Sequence, residues 1–152
     1  MGQDRFAGAI SVLVNAHDLR YELEKQGSIF QTSMDSEVIV HLMARQLVHG
    51  LEEALITSLN EIKGAYSLVM ATENQIIGAR DPYGFRPMCL GLLDESAYVI
   101  ASETCALDLI GATYLRDVEP GEIVFIDDNG IKSLHLPEQD RTAFCIFEFI
   151  YF

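Results

Sequence analysis

At 152 residues and 49% hydrophobic composition, with mean hydropathy +0.18, the chain has apolar material for one domain with a sizeable core, which excludes a disordered tail. A net charge of −13, with only ten scattered lysines and arginines, excludes nucleic acid and anionic membrane as partners, since either would repel a surface without a basic patch. The three cysteines, Cys89, Cys105 and Cys145, are odd in number and lack CxxC spacing, which argues against a disulfide framework or a self-contained zinc site and for a reducing, cytoplasmic setting. No apolar run reaches the ~18 residues needed to span a bilayer.

In chain order, the small apolar residues 6–14 predict a buried strand ending at Asn15. Asn15 is the expected N-cap of a helix with Asp18 at its third position, Leu19 and Leu23 on one face and Gly27 as its stop. A short extended link, 28–31, leads to a hydroxyl- and acid-rich helix entrance at 32–37. Val38, Leu42 and Arg45, with Ile39, Met43 and Gln46, then form a mostly apolar stripe at helical spacing that breaks near Gly50, and Leu51, Leu55, Leu59 and Ile62 mark a third helix closed by Gly64. From Ala65 the period changes to that of strands. Hairpins are expected around Glu73-Asn74 and Asp94-Glu95-Ser96, and around Asn129-Gly130, where the pair signals a type I′ turn. A short helix over 104–110, capped by Ser102 or Thr104, precedes a tight Pro120-Gly121 turn.

Residues 80–87, Arg-Asp-Pro-Tyr-Gly-Phe-Arg-Pro, connect two strands. Pro82 cannot donate to a ladder and Gly84 can take positive φ, so the segment must turn. Arg80 and Arg86 can pair with Asp81 or hold the loop through their guanidinium forks. An arginine-braced structural turn is the expectation, with a substrate contact as the alternative.

Few residues carry chemistry. Cys89 and Cys105 lie in apolar sequence and read as buried structural cysteines. His17, His41, His49 and His135 lack metal-ligand spacing, and the pairs Glu52-Glu53 and Asp127-Asp128 read as solvated positions. Asp35 stands out at a helix entrance, where a carboxylate and exposed N–H groups could frame a small zwitterion such as an amino acid. A plain N-terminal charge or cap is the alternative.

The segments 13–16, 30–38 and 80–87 resemble the glutaminase domain of class II glutamine amidotransferases, which are N-terminal-nucleophile hydrolases. Within that group, 102–107, 116–122 and 147–152 are similar to the amidophosphoribosyltransferase branch. The resemblance implies an α+β fold, an incomplete four-layer α/β/β/α sandwich. It also implies transfer of the glutamine amide nitrogen to phosphoribosyl pyrophosphate at the start of purine synthesis.

Asp35 matches the aspartate that binds the glutamine α-amino group, with Met34 where a hydroxyl residue is usual. The family's His-Asn-Gly-Asn oxyanion motif is replaced by Ala9-Ile10-Ser11-Val12, and neither an N-terminal cysteine nucleophile nor the family's carboxylate-holding arginine is present. No catalytic residue is therefore assigned, and the chain alone is expected to be inactive, with weak or no glutamine binding. A non-catalytic binding or assembly module on the same sandwich is the alternative. Residues 1–143 read as a partial amidotransferase domain and 144–152 as the start of a connection to an absent phosphoribosyltransferase domain. No cofactor is expected in this chain; the resemblance implies magnesium, and in some members an iron–sulfur cluster, for the full-length family protein, with Cys145 a candidate cluster ligand. The apolar strands and the aromatic run 144–152 lead to an expectation of self-association.

Overall fold

A computed structural model describes residues 5–137, with side chains from residue 12 onward. Cys145 and the run 144–152 lie outside the described residues. The chain divides into two compact units, a helical one of residues 11–64 and a sheet unit of residues 1–10 and 65–152.

The helical unit holds α1 (Ala16–Lys25), α2 (Asp35–Gln46), a 3-10 turn (Leu47–His49) and α3 (Leu51–Glu61). Of the stripe predicted on α2, Val38, Ile39, Leu42 and Met43 are buried, whereas Arg45 is exposed and Gln46 half-buried, because their polar ends stay in water in the last turn. The helix packs on α3, which buries Ala54, Leu55, Ser58 and Leu59 at the same spacing. Each large apolar side chain so buried contributes about 1.5–3 kcal/mol. Ser58 is tolerated in that interface because its hydroxyl donates to the Ala54 carbonyl at 2.7 Å. At the end of α1, Gly27 takes φ +93 while its N–H donates to Glu24 and that of Ser28 to Leu23, the paired bonds of a Schellman stop.

The sheet unit contains a five-stranded sheet in the order β1-β2-β3-β7-β8 and a three-stranded sheet in the order β5-β4-β6. Their ranges are β1 Arg5–Leu13, whose last three residues belong to the helical unit, β2 Gly64–Ala71, β3 Ile76–Arg80, β4 Cys89–Leu93, β5 Ala97–Ala101, β6 Thr113–Asp117, β7 Glu122–Asp127 and β8 Gly130–His135. The helix α4, Thr104–Ile110, lies between β5 and β6 in sequence. Two-residue alternation gives the small sheet two apolar faces. Leu90, Tyr98 and Ile100 pack against Val69, Val124 and Ile126 of the large sheet, whereas Cys89, Leu93, Val99 and Ala101 pack with Leu107 of α4 and Ala112. The α+β class expected from the sequence is what folds, with four helices and two antiparallel sheets among the described residues.

Several local expectations are corrected. Asn15 stands at the N-cap position but its side chain makes no cap bond. Instead its Nδ2 donates to the Glu61 carbonyl at 2.9 Å and its Oδ1 accepts from the Lys63 N–H at 2.8 Å, tying α1 to the end of α3. The cap of α4 is Glu103, in extended backbone, rather than Ser102 or Thr104. Cys105 is exposed, because it faces out from the first turn of α4, whereas Cys89 is buried as expected. The strand β6 has no sequence signature, since an edge strand pairs through its backbone and needs no apolar alternation; its residues are mostly exposed.

The hairpin at Asn129-Gly130 forms, but not as a type I′ turn: Gly130 has φ +115 while Asn129 does not take positive φ. The two consecutive positive values are at Asp94 (+48) and Glu95 (+58), with the Ser96 N–H donating to Leu93 at 3.1 Å. The left-handed conformation costs a non-glycine residue roughly 1–2 kcal/mol, partly offset in a glycine by the larger entropy of the unfolded chain. Glu95→Gly is therefore expected to stabilise the protein by about 0.5–1 kcal/mol, read as a higher urea midpoint at constant slope.

Candidate functional site

The site begins where β1 ends and α2 starts. Asp35 is the first residue of α2, behind an extended Met34 at the N-cap position (φ −76, ψ 138). Its side-chain Oδ2 accepts the Leu13 N–H at 2.8 Å. That contact joins residues 22 apart and presents the carboxylate beside the strand end. A carboxylate has roughly four acceptor positions, so capacity for a further donor remains, and Asp35 is only half-buried. Val12 and Val14, which flank Leu13, and Met34 are 63%, 79% and 60% exposed, so apolar surface borders the carboxylate along the chain.

The loop leading to Asp35 is held by a cluster that sequence reasoning did not assign. The Glu37 carboxylate accepts the Gln31 N–H at 2.7 Å, the Thr32 N–H at 2.8 Å and the Thr32 hydroxyl at 2.7 Å. These bonds, led by the one from Gln31, hold its pKa down at about 2 against the opposing effect of desolvation, with Arg20 adding a smaller pull. Arg20 on α1 donates to the Thr32 carbonyl at 2.7 Å and lies over the Phe30 ring at 4.1 Å; Phe30 in turn meets the His41 ring at a 50° tilt, 4.3 Å between centroids. A glutamate at the third helix position is the second half of a capping box, which is the one hint the sequence held.

In the sheet unit, residues 81–87 form a turn fastened from both sides. Arg80 donates to three carbonyls, from Nε to Arg86 at 2.7 Å, from Nη1 to Val118 at 2.6 Å and from Nη2 to Gly84 at 3.0 Å. The fully buried Asp81 carboxylate accepts the N–H groups of Tyr83 at 3.0 Å and Phe85 at 3.1 Å. Burial pushes its pKa up, and the turn's amide donors oppose that rise. Gly84 takes φ +68 against the Pro120 ring, where a Cβ would lie 2.8 Å from a ring carbon. Arg86 contributes its carbonyl to the brace. Asp35 lies in the helical unit and the 80–86 group in the sheet unit.

Neither of the two described cysteines is an activated nucleophile. Burial first, and then the nearby Asp117 charge, raise the Cys89 pKa, and a hydrogen bond with Glu103 raises that of Cys105. Among the described residues, no three His, Cys, Asp or Glu side chains are grouped so as to hold a metal ion, and no helix is long and apolar enough to cross a membrane.

The glutamine amidotransferase domain family matches residues 5–109. Amidophosphoribosyltransferase of Bacillus subtilis (strain 168) is 49% identical over 140 residues, covering 92% of this chain and 29% of that protein. Chloroplastic amidophosphoribosyltransferase 1 of Arabidopsis thaliana is also 49% identical over 140 residues, covering 25% of its length. The chain thus spans less than a third of the curated relatives it matches. Among solved structures, the B. subtilis glutamine phosphoribosylpyrophosphate amidotransferase complexed with ADP and GMP superimposes with a TM-score of 0.91 at 48% identity, over 95% of this chain and 32% of that one. A structure described as the allosteric regulatory enzyme of purine biosynthesis gives 0.93 at 46% identity, over 99% and 32%. The expected α+β fold of the N-terminal-nucleophile hydrolase type is therefore the one adopted.

Proposed function

Because the chain belongs to the glutamine amidotransferase domain family, we propose that it is the glutamine-recognising part of an amidophosphoribosyltransferase, the enzyme that moves the glutamine amide nitrogen onto phosphoribosyl pyrophosphate to give phosphoribosylamine. The observation that carries this reading is Asp35, held by Leu13 at a helix entrance with acceptor capacity in hand. Its role is to take the α-ammonium group of glutamine in a charge-assisted hydrogen bond. Arg80, Asp81, Gly84 and Arg86 serve as a structural turn that carries the chain from β3 to β4 and do not touch substrate. Such chemistry suits a soluble protein of the cytoplasm. Cys145 is a candidate iron–sulfur ligand of the full-length protein.

Hydrolysis is a separate matter, since Ala9-Ile10-Ser11-Val12 stands where the family's oxyanion donors would be. Loss of even one such donor costs ~10²–10³ in rate. The chain is expected to bind L-glutamine weakly and to release no ammonia above the buffer blank, with Asp35→Ala abolishing the binding heat in calorimetry. Equal binding by both proteins would remove Asp35 from the site; sustained ammonia release would overturn the inactive assignment. Self-association is part of this reading: Leu109 and Ile110 of α4 and Tyr114 and Leu115 of β6 are exposed apolar residues.

A further inference from the structure

We propose that Glu37 is a positioning residue for the same site: acting through Thr32, it sets the backbone from which Asp35 is presented to the ligand's α-ammonium group. This rests on the reading of Asp35 as that group's acceptor. The helix does not need the clamp for its own start, because the Glu37 N–H already donates to Met34 at 3.2 Å and opens the first turn. The Glu37 carboxylate is instead directed backwards, onto two residues outside the helix. Thr32 is gripped on every polar atom it has. Its N–H and hydroxyl donate to Glu37, its carbonyl accepts from Arg20, and its hydroxyl oxygen also accepts the Met34 N–H at 3.2 Å.

Only Ser33 and Met34 separate this fixed peptide from Asp35, and the second of them is tied back to it. Asp35 is therefore constrained on its N-terminal side by the clamp and on its side chain by Leu13. A charge-assisted hydrogen bond weakens steeply as its angle and length depart from the optimum, so freedom in the 30–34 backbone would reach the ligand as lost directionality. The loss should fall on recognition of the α-ammonium group and spare the rest of the ligand.

The test uses the full chain with Glu37→Gln and Thr32→Val, and Thr32→Ser as the conservative rescue. Two quantities are read by NMR: the exchange rate of the Leu13 amide, and affinities for L-glutamine and for glutaramate, which is glutamine without its α-amino group. In Glu37→Gln and Thr32→Val the preference for glutamine should fall about tenfold, the scale of one charge-assisted contact. Glutaramate affinity should stay unchanged, Leu13 exchange should quicken, and Thr32→Ser should retain wild-type behaviour. Equal weakening of both ligands, or an unchanged preference with unchanged Leu13 exchange, would overturn the proposal. A wild-type chain with no preference for glutamine would instead sink the reading of Asp35, and Leu13 exchange would then decide by itself whether Glu37 holds Asp35 in place.

Discussion

Glu122→Ala is expected to lower the unfolding free energy by about 2–3 kcal/mol, the scale of losing charge-assisted hydrogen bonds to a buried carboxylate, because the Arg116 left behind is 42% exposed and is solvated. Glu122 opens β7 and is 2% exposed, yet its carboxylate is fully engaged. Arg116 donates to it through Nη1 at 2.8 Å and Nη2 at 2.7 Å, the Ser133 hydroxyl donates at 2.6 Å and the Glu119 N–H at 2.7 Å. Burial alone would raise its pKa; the hydrogen bonds from Arg116, Ser133 and Glu119 outweigh that and hold it at about 2. Since the folded pKa lies below the unfolded one, the stabilisation is fully present above about pH 4.5 and is lost as pH falls towards 2. Glu37 titrates in the same window, and Asp81, whose pKa is raised, acts in the opposite sense, so wild-type acid unfolding mixes all three. The difference between wild type and Glu122→Gln isolates one of them. It should be about 2–3 kcal/mol at pH 7, fall below half of that at pH 3 and approach zero only near pH 2 in urea titrations. A difference independent of pH would show that the carboxylate's charge is not what stabilises the strand start.

Gly64→Ala is expected to cost about 3–5 kcal/mol, as backbone strain and overpacking fall on one residue. Gly64 has φ +138, and a Cβ there would collide with the Val12 carbonyl oxygen and lie 2.9 Å from the Leu13 Cα. Both obstacles are backbone, so no side chain can swing aside. Leu13 is also the residue whose N–H donates to Asp35, so glutamine binding should be lost along with stability. Gly27→Ala is the control. Gly27 also has positive φ, +93, but nothing lies within 4 Å of the added Cβ, so only the left-handed strain of about 1–2 kcal/mol applies. Urea unfolding of the two variants beside wild type checks this, and equal losses would mean that the approach of Val12 to Gly64 imposes nothing beyond φ.

The elements that sequence alone determined are those encoded within a few residues. The stripes of α2 and α3, the glycine stop after α1 and the hairpins at 73–74 and 94–96 each rest on side-chain periodicity or on glycine's freedom at positive φ, and each formed where expected. The position of Asp35 at the start of α2 was equally local. What its carboxylate touches was not: the Leu13 amide is 22 residues away, and only folding brings it there. The Asn15 side chain looked like a cap because asparagine caps helices, but partners 46 and 48 residues on compete successfully for the same oxygen and nitrogen. Glu122 reads as one more polar residue after Pro-Gly until strand pairing sets Ser133 beside it and Arg116 folds across from β6, a strand without a pattern of its own. Acidic residues look alike in sequence, and it is the donors that the folded chain aims at each one, together with burial, that separate a solvated carboxylate from Glu37, Glu122 or Asp81.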